Sequence, residues 1–406
     1  MRVARALQSG QGQAPLFLFA PNSIFTRKLA SNATLATDQT PGLKLANQLS
    51  YANPNYSYDG SPAPSFYGYS GMGFGGVSGG NAAKFNFATF TYPLYVVDST
   101  VPTQTVTYVE SDGVTPQPPG TAANLQSFFN AVPVPDVTKI PQGQIPANGT
   151  DGFAIVWRPS TNELWEMWVF RGSTGSYTFR YGGYVPNVDT FNGIFPHGWG
   201  ANASGLVAGG GVITIQDVVD VLNGLPIQHA IEVSLPVTGG SHVPPATRND
   251  PTQESNVVQF EADGTTPNPA FGLVDWVPEG TWCRFPASLN PASAMPGAGP
   301  IALAIATAIR DYGLFVDIAT GTPGSTIFYL EDARVLGSPY SWAKVNPFAG
   351  STGAAAGYYD SYINNHVSAS WTDPTLPKVT EVLNGTNSVL SQIPWQDLQV
   401  LAQFSS

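Results

Sequence analysis

Charge is scarce in this chain. Only 11% of its 406 residues are charged, against about 25% in a typical soluble domain. Lys and Arg together number 16 against 27 Asp and Glu, for a formal net charge of −11. Docking on nucleic acid needs clustered Lys and Arg, and no such cluster stands in the sequence, so nucleic acid is excluded as a partner. The acidity is diffuse, which describes a soluble surface and not a calcium site. Cysteine is nearly absent as well. Cys283 is the only one, so no intrachain disulfide can form, and stability must come from core size or from assembly with partners. It follows Trp282 in an apolar stretch and reads as an inert core thiol. Long hydrophobic runs are missing too: Pro15 to Ala20 is far short of the roughly 20 apolar residues a membrane helix needs, so no membrane insertion is expected. Arg2 and Arg5 precede that run, but it is too short for a signal peptide and no cleavage site follows. A protein of extracellular style without an export signal is expected to leave the cell by lysis, as virion proteins do.

What is present is apolar and turn-forming. Hydrophobic residues make up 42% of the chain and aromatics 12%, enough to build a core and to exclude disorder. The 43 Gly and 36 Pro suit many short strands joined by tight turns and long loops. Residues 1–20 read as an N-terminal arm with an apolar tip, Leu16-Phe17-Leu18-Phe19, that docks on a neighbour or on its own domain. Residues 21–406 read as one large β-sandwich domain. Within it, residues 51–81 form a low-complexity Tyr/Gly/Ser/Pro/Asn stretch, expected as a surface loop suited to recognition.

Strands are expected over Phe85–Phe90, Tyr92–Val97, Thr103–Val109, Ala230–Leu235 and Leu273–Phe285, the last broken at Pro278-Glu279-Gly280. The clearest element is a β hairpin from Phe153 to Phe170, turning through Arg158-Pro159-Ser160-Thr161-Asn162. On its return strand Leu164, Glu166, Trp168 and Phe170 share one face, and Glu163, Trp165, Met167 and Val169 the other. A second hairpin is expected from Phe315–Asp317 to Thr326–Leu330. Helices are expected over Thr121–Ala131, with Leu125, Phe128 and Phe129 on one face, and over Pro300–Tyr312, closed by Gly313. Another starts at Thr214, with Asp217 three residues on and Gly224 at its end. A weak helical period runs through Leu43, Leu45, Ala46 and Leu49. No repeat of 20–50 residues occurs, which argues against a solenoid or propeller. The expected fold is mainly β: a jelly-roll-type β-sandwich with a few short helices and long Gly/Pro/Tyr-rich loops.

Several blocks occur in an order that resembles one family. They are Asn22-Ser23-Ile24-Phe25, Tyr92-Pro93-Leu94-Tyr95-Val96-Val97, Ala131-Val132-Pro133-Val134-Pro135, and Asp151-Gly152 leading into Leu164-Trp165-Glu166-Met167-Trp168. Next come Gly198-Trp199-Gly200-Ala201-Asn202-Ala203-Ser204-Gly205-Leu206, His229-Ala230, Pro245-Ala246-Thr247-Arg248 and Val277-Pro278-Glu279-Gly280. The series closes with Ala308-Ile309-Arg310-Asp311-Tyr312-Gly313 and Ile393-Pro394-Trp395. The chain from about residue 20 on is similar in this respect to minor tail proteins of actinobacterial phages and to related actinobacterial proteins, both akin in outline to jelly-roll carbohydrate-active proteins. The resemblance implies a tail component of the virion, homo-oligomeric within the tail, that binds other phage tail proteins, with host cell-wall glycan as a further expected partner. One departure stands out: the family pattern places a His after the Asp-Gly pair, where this chain has Phe153.

No catalytic signature is present. There is no metal-ligand spacing of the zinc-protease type and no Cys pair, so neither a metal nor a cofactor is expected, and Ala208-Gly209-Gly210-Gly211 lacks the Lys and the strand–loop–helix setting of a phosphate loop. A glycan hydrolase needs two carboxyls roughly 5–10 Å apart. Glu163 and Glu166 point to opposite faces of a strand, so Glu166 would have to pair with Asp151 or Glu232. A lyase needs a Tyr or His base and a cation to neutralise a uronate; His229, Tyr181, Arg180, Asn202 and Arg248 are the candidates. His229 also fits a structural role, and His197 a loop-packing one. Sugar binding asks less: an aromatic platform and a few polar groups, for which Trp157, Trp165, Trp168, Trp199 and Tyr181 are at hand. The expected glycan-binding set is Trp168, Glu166, Tyr181, His229 and Arg248, with no catalytic residue assigned. The alternatives to a tail protein are a jelly-roll glycan lyase or hydrolase and a secreted lectin-like protein.

Overall fold

The computed structural model describes residues 19–50, 83–86, 91–110, 115, 125–136, 151–196, 198–235, 238–249, 277–320, 326–336, 340–341, 347–348, 379–381, 383 and 388–403. Most of the arm, the segment 51–81 and His197 lie outside them.

The aromatic and β-branched run from residue 154 to 168 folds as an antiparallel pair, β4 (Ala154–Arg158) and β5 (Glu163–Trp168), in register from Arg158↔Glu163 to Ala154↔Met167. Asn162 closes the turn at φ +62°, a left-handed conformation that Asn tolerates better than most residues. β2 (Leu94–Val96) joins β4 in parallel and β7 (Tyr181–Val185) joins β5 antiparallel, giving a four-stranded sheet ordered β2-β4-β5-β7. β3 (Val106–Tyr108) and β6 (Tyr177–Phe179) pair in parallel beside it.

The second sheet has six strands, ordered β1-β13-β8-β12-β11-β14. Its members are β1 (Ala83–Asn86), β8 (Ile231–Leu235), β11 (Trp282–Arg284), β12 (Leu314–Ala319), β13 (Thr326–Tyr329) and β14 (Gln399–Val400). β9 (Gly239–His242) and β10 (Pro278–Glu279) form a further parallel pair, so the Pro278-Glu279 break is itself a short strand. The hairpin expected between residues 315–317 and 326–330 does not form. β8 lies between the two strands, parallel to β12 and antiparallel to β13. Both edges of β8 are taken by strands far from it in sequence, and local spacing carries no record of that.

Period-two alternation divides the six-stranded sheet cleanly. Ile231, Val233, Leu235, Cys283, Leu314, Val316 and Phe328 point into one hydrophobic cluster. That cluster is completed by α1 (Thr40–Ser50), α3 (Ile215–Leu222) and α5 (Pro300–Asp311), and by Met295 at the end of α4 (Pro291–Ala294). Trp282, Phe315, Ile327 and Tyr329 point the other way, into a second cluster shared with the four-stranded sheet. The fold is therefore β-rich and layered: helices, six-stranded sheet, four-stranded sheet. Cys283 is fully buried and its thiol is pushed up to about 12 by burial, which keeps it an unreactive thiol.

The helices form for local reasons. α3 opens on a capping box, Thr214 accepting from Asp217 N–H and the Asp217 carboxylate accepting from Thr214 N–H. α5 starts at Pro300 without a side chain of its own as cap; the Glu381 carboxylate accepts from Ile301 and Ala302 N–H at 2.9 and 3.2 Å instead. In α1, Leu45, Ala46 and Leu49 are buried while Leu43 is 40% exposed. In α2 (Leu125–Phe128), Leu125 and the following Phe129 are buried, but Phe128 is turned out at 40% exposure. Adjacent residues are about 100° apart around a helix, so Phe128 is turned away from Phe129, and it stacks on Tyr184, centroids 4.8 Å apart. At the chain's start, Phe19 packs on Phe25 and Phe191 of its own domain. No described helix is long and apolar enough to cross a membrane.

Candidate functional site

Strand β5 carries the site on one face. Glu166 is buried completely, whereas Trp168, two residues on and on the same side, is half-buried. Trp168 pairs across the ladder with Tyr181 of β7, ring centroids 5.6 Å apart. The Arg180 guanidinium lies over both rings, 5.6 Å from the Trp168 centroid and 5.5 Å from that of Tyr181. Arg248 arrives from residues 238–249 and sits over Tyr181 at 5.6 Å. Two aromatic rings and two guanidiniums thus form one cluster, all four side chains half-buried. Burial raises the pKa of the nearby Asp151 carboxyl, and the Trp168 indole acts against it.

Behind this cluster the chain from residue 198 to 213 is threaded between the sheets. Glu166 holds it at two points: Oε1 accepts from Ala201 N–H at 2.6 Å and Oε2 from Ala208 N–H at 2.7 Å. Arg248 donates to the carbonyls of Gly200 and Asn202 at 2.9 and 2.7 Å. The Asn202 amide then accepts from Tyr92 O–H at 2.8 Å and donates to Asp317 Oδ2 at 2.8 Å. Ser204 O–H donates to Asp317 Oδ1 at 2.6 Å. Glycines make room for this thread. A Cβ on Gly183 would meet the Phe195 ring at 2.3 Å, and one on Gly211 would meet Glu232 Cγ at 2.2 Å.

Three carboxyls therefore share the layer between the sheets: Glu166, Glu232 and Asp317, each with no exposed surface. Burial pushes Glu166 up to about 8, against the pull of its two backbone N–H donors. Burial likewise pushes Asp317 up to about 7, with Ser204 and Asn202 acting against it. Glu232 is held well above the usual carboxylate range by burial, then by the neighbouring Asp317 charge. Neither Glu232 oxygen has a hydrogen-bond partner among the described residues. Among the described residues these acids are sealed from solvent, and no group of His, Cys, Asp and Glu is arranged to hold a metal ion.

Of the residues singled out in the sequence, Trp168, Tyr181, Arg180 and Arg248 converge at the surface, with Glu166 and Asn202 directly beneath. His229 does not join them. Its Nε2 meets Asp217 Oδ2 at 3.2 Å and its Nδ1 meets the Ala230 carbonyl at 2.8 Å. Both partners only accept, so both ring nitrogens must carry protons, and the Asp217 charge raises the imidazole's pKa against its burial. A doubly protonated, doubly bonded ring cannot take a proton from a sugar. Trp157, Trp165 and Trp199 are buried at 3, 3 and 9% exposure, which leaves Trp168 as the tryptophan of this group with a half-open ring. Glu163 is on the opposite face of β5 from Glu166 and accepts from Tyr184 O–H at 2.6 Å. The role of Asp317 was missed by sequence reasoning. Its signal was an acid inside the apolar strand Leu314–Ala319, where both faces of the sheet are covered. No protein family, curated protein or solved structure matches this chain.

Proposed function

We propose that the chain is a recognition protein that binds glycan without cleaving it, at the cluster of Trp168, Arg180, Tyr181 and Arg248. The observation that carries this reading is the division of labour on β5. Its Trp168 ring is half-open beside Tyr181 of β7 and the Arg180 and Arg248 guanidiniums, while its Glu166 carboxyl is spent on holding the loop behind them. Aromatic faces stack on pyranose rings and guanidinium groups fix hydroxyls or acids. Such a site needs rigidity, and Glu166 and Arg248 supply it from the interior.

In its biological setting we read the chain as a structural and adhesion component of a phage tail, oligomeric within the tail, where it binds other tail proteins and a host cell-wall glycan. The ordered sequence blocks support that setting. The finer fold expectation, a jelly roll, draws support from two sheets sharing one core. The five parallel strand pairs set it apart from the antiparallel jelly-roll pattern.

Mass spectrometry of purified virions, together with a glycan array probed by the wild-type protein and Trp168→Ala, tests the reading. Presence in tails and array signals lost in Trp168→Ala are expected. A compact monomer missing from purified virions would remove the tail assignment. Array signals that survive Trp168→Ala would remove the site.

A further inference from the structure

Arg180 and Arg248 place two positive charges against the same tyrosine ring, at 5.5 and 5.6 Å from its centroid. On a chain of net charge −11 with 16 basic residues, that juxtaposition calls for a reason. Arg248 has acids in its field: it lowers the pKa of Glu166, and Glu166 and Glu279 act on it in turn. It also donates to two backbone carbonyls, and its Nε is buried without a partner. Arg180 has none of this. Among the described residues its guanidinium makes no hydrogen bond and no ion pair; its contacts are the faces of Trp168 and Tyr181. It is half-buried, so desolvation has begun while its donors remain open. Two guanidiniums against one ring raise the local positive potential, and an anion at the Arg180 fork lowers it and fills the open donors.

We propose that the glycan recognised here is an acidic one, a pyranose carrying a carboxylate or phosphate. Its anion is gripped by the Arg180 fork, with Arg248 reinforcing the field, and its ring packs against the part of Trp168 that the guanidinium leaves open. This rests on the glycan-binding reading and adds the ligand's chemical class. The planar guanidinium fork matches both carboxylate and phosphate in two-point contact, which an ammonium does not. Arg180 is the specificity-determining residue, because among the described residues its guanidinium makes no hydrogen bond or ion pair and keeps its donors for a ligand.

Calorimetry with the full chain tests this, using tetragalacturonate, its fully methyl-esterified form, and pentamannose bearing one phosphate. Binding of tetragalacturonate at least tenfold tighter than of its methyl ester is expected, and a matching signal from phosphomannose would extend the class from carboxylate to phosphate. Arg180→Gln should lose at least tenfold for the acidic sugars and markedly less for the methyl ester, and Arg180→Lys should recover only part of that loss. A thermal melt of each variant within error of the wild type shows that the fold is kept, as expected for a side chain with no structural bond. Equal binding of acid and ester would overturn the acidic class while leaving glycan binding intact. Failure of all three sugars would overturn both.

Discussion

Glu166 and Arg248 hold the same stretch of chain. The carboxylate accepts from Ala201 N–H, and the guanidinium donates to the carbonyls of Gly200 and Asn202 on either side of it. The pair are neighbours in electrostatic terms as well, each shifting the other. What links them is not a salt bridge but a shared backbone segment, which passes directly on to Asn202 and the buried Asp317.

Removing either grip should loosen the interior before it touches the surface rings. In Glu166→Gln one backbone N–H faces an NH2 group in place of an oxygen, and in Glu166→Ala both are orphaned. A buried polar group left unsatisfied costs about 1–3 kcal/mol. Urea unfolding should show a loss of that size for the Gln variant and a larger one for Ala. An Ala variant as stable as the wild type would show that the loop is held by other means.

The buried acids set the sign of the pH response. Glu166 and Asp317 lie at about 8 and about 7 in the folded protein, and Glu232 well above the carboxylate range. The ordinary values of these groups, which apply in the unfolded chain, are 4.5, 3.8 and 4.5. The folded state thus binds more protons across this window, and stability falls as pH rises through it. The raised pKa of His229 acts in the same direction. Each coupled proton contributes a slope of about 1.4 kcal/mol per pH unit. Melting temperature should drop between pH 5 and pH 8, and Asp317→Asn should flatten the curve. A melting temperature constant or rising over that range would contradict the placement of these acids.

His229 should act on stability and not on binding. It ties the capping residue Asp217 of α3 to the Ala230 carbonyl just ahead of β8. Thr214→Ala removes the cap itself, at a cost of about 1 kcal/mol, and His229→Ala leaves the buried Asp217 with a lost ionic partner. Both should lower the urea midpoint while leaving sugar binding unchanged. Loss of sugar affinity in His229→Ala at full stability would return the imidazole to the binding site.

How far the sequence could be read depended on the range of the interactions involved. The β4–β5 hairpin and the capping box of α3 are written within a few residues, and both were legible together with their faces. Trp168 and Tyr181 meet across adjacent strands of one sheet, so their convergence lay within reach. The neighbours of β8 were not legible, since β12 and β13 come from about 80 residues and more downstream. His229 misled for a related reason: an isolated His beside an apolar strand shows nothing of an acceptor twelve positions earlier. The sealed state of Glu166 was hidden too, because its partners are backbone N–H groups, which every residue but proline offers.

The last prediction concerns two glycines that look interchangeable in Ala208-Gly209-Gly210-Gly211. A Cβ on Gly209 would meet only Ile155 Cδ1, at 3.3 Å, the tip of a side chain that can give way. A Cβ on Gly211 would stand 2.2 Å from Glu232 Cγ and 2.6 Å from the Glu232 backbone nitrogen. That nitrogen donates to the Gly211 carbonyl and belongs to β8, the strand paired on both edges, so the loop must move instead. The same loop carries Ala208 N–H to Glu166 and Ile213 N–H to the Tyr329 carbonyl. Overpacking of this kind typically costs about 1–3 kcal/mol, and the strained hydrogen bonds put Gly211→Ala at the upper end or beyond. Gly209→Ala should stay within about 1 kcal/mol of the wild type. Equal effects of the two substitutions on the urea midpoint would mean that the thread does not pass against Glu232 as described, and that the isolation of this carboxyl has another cause.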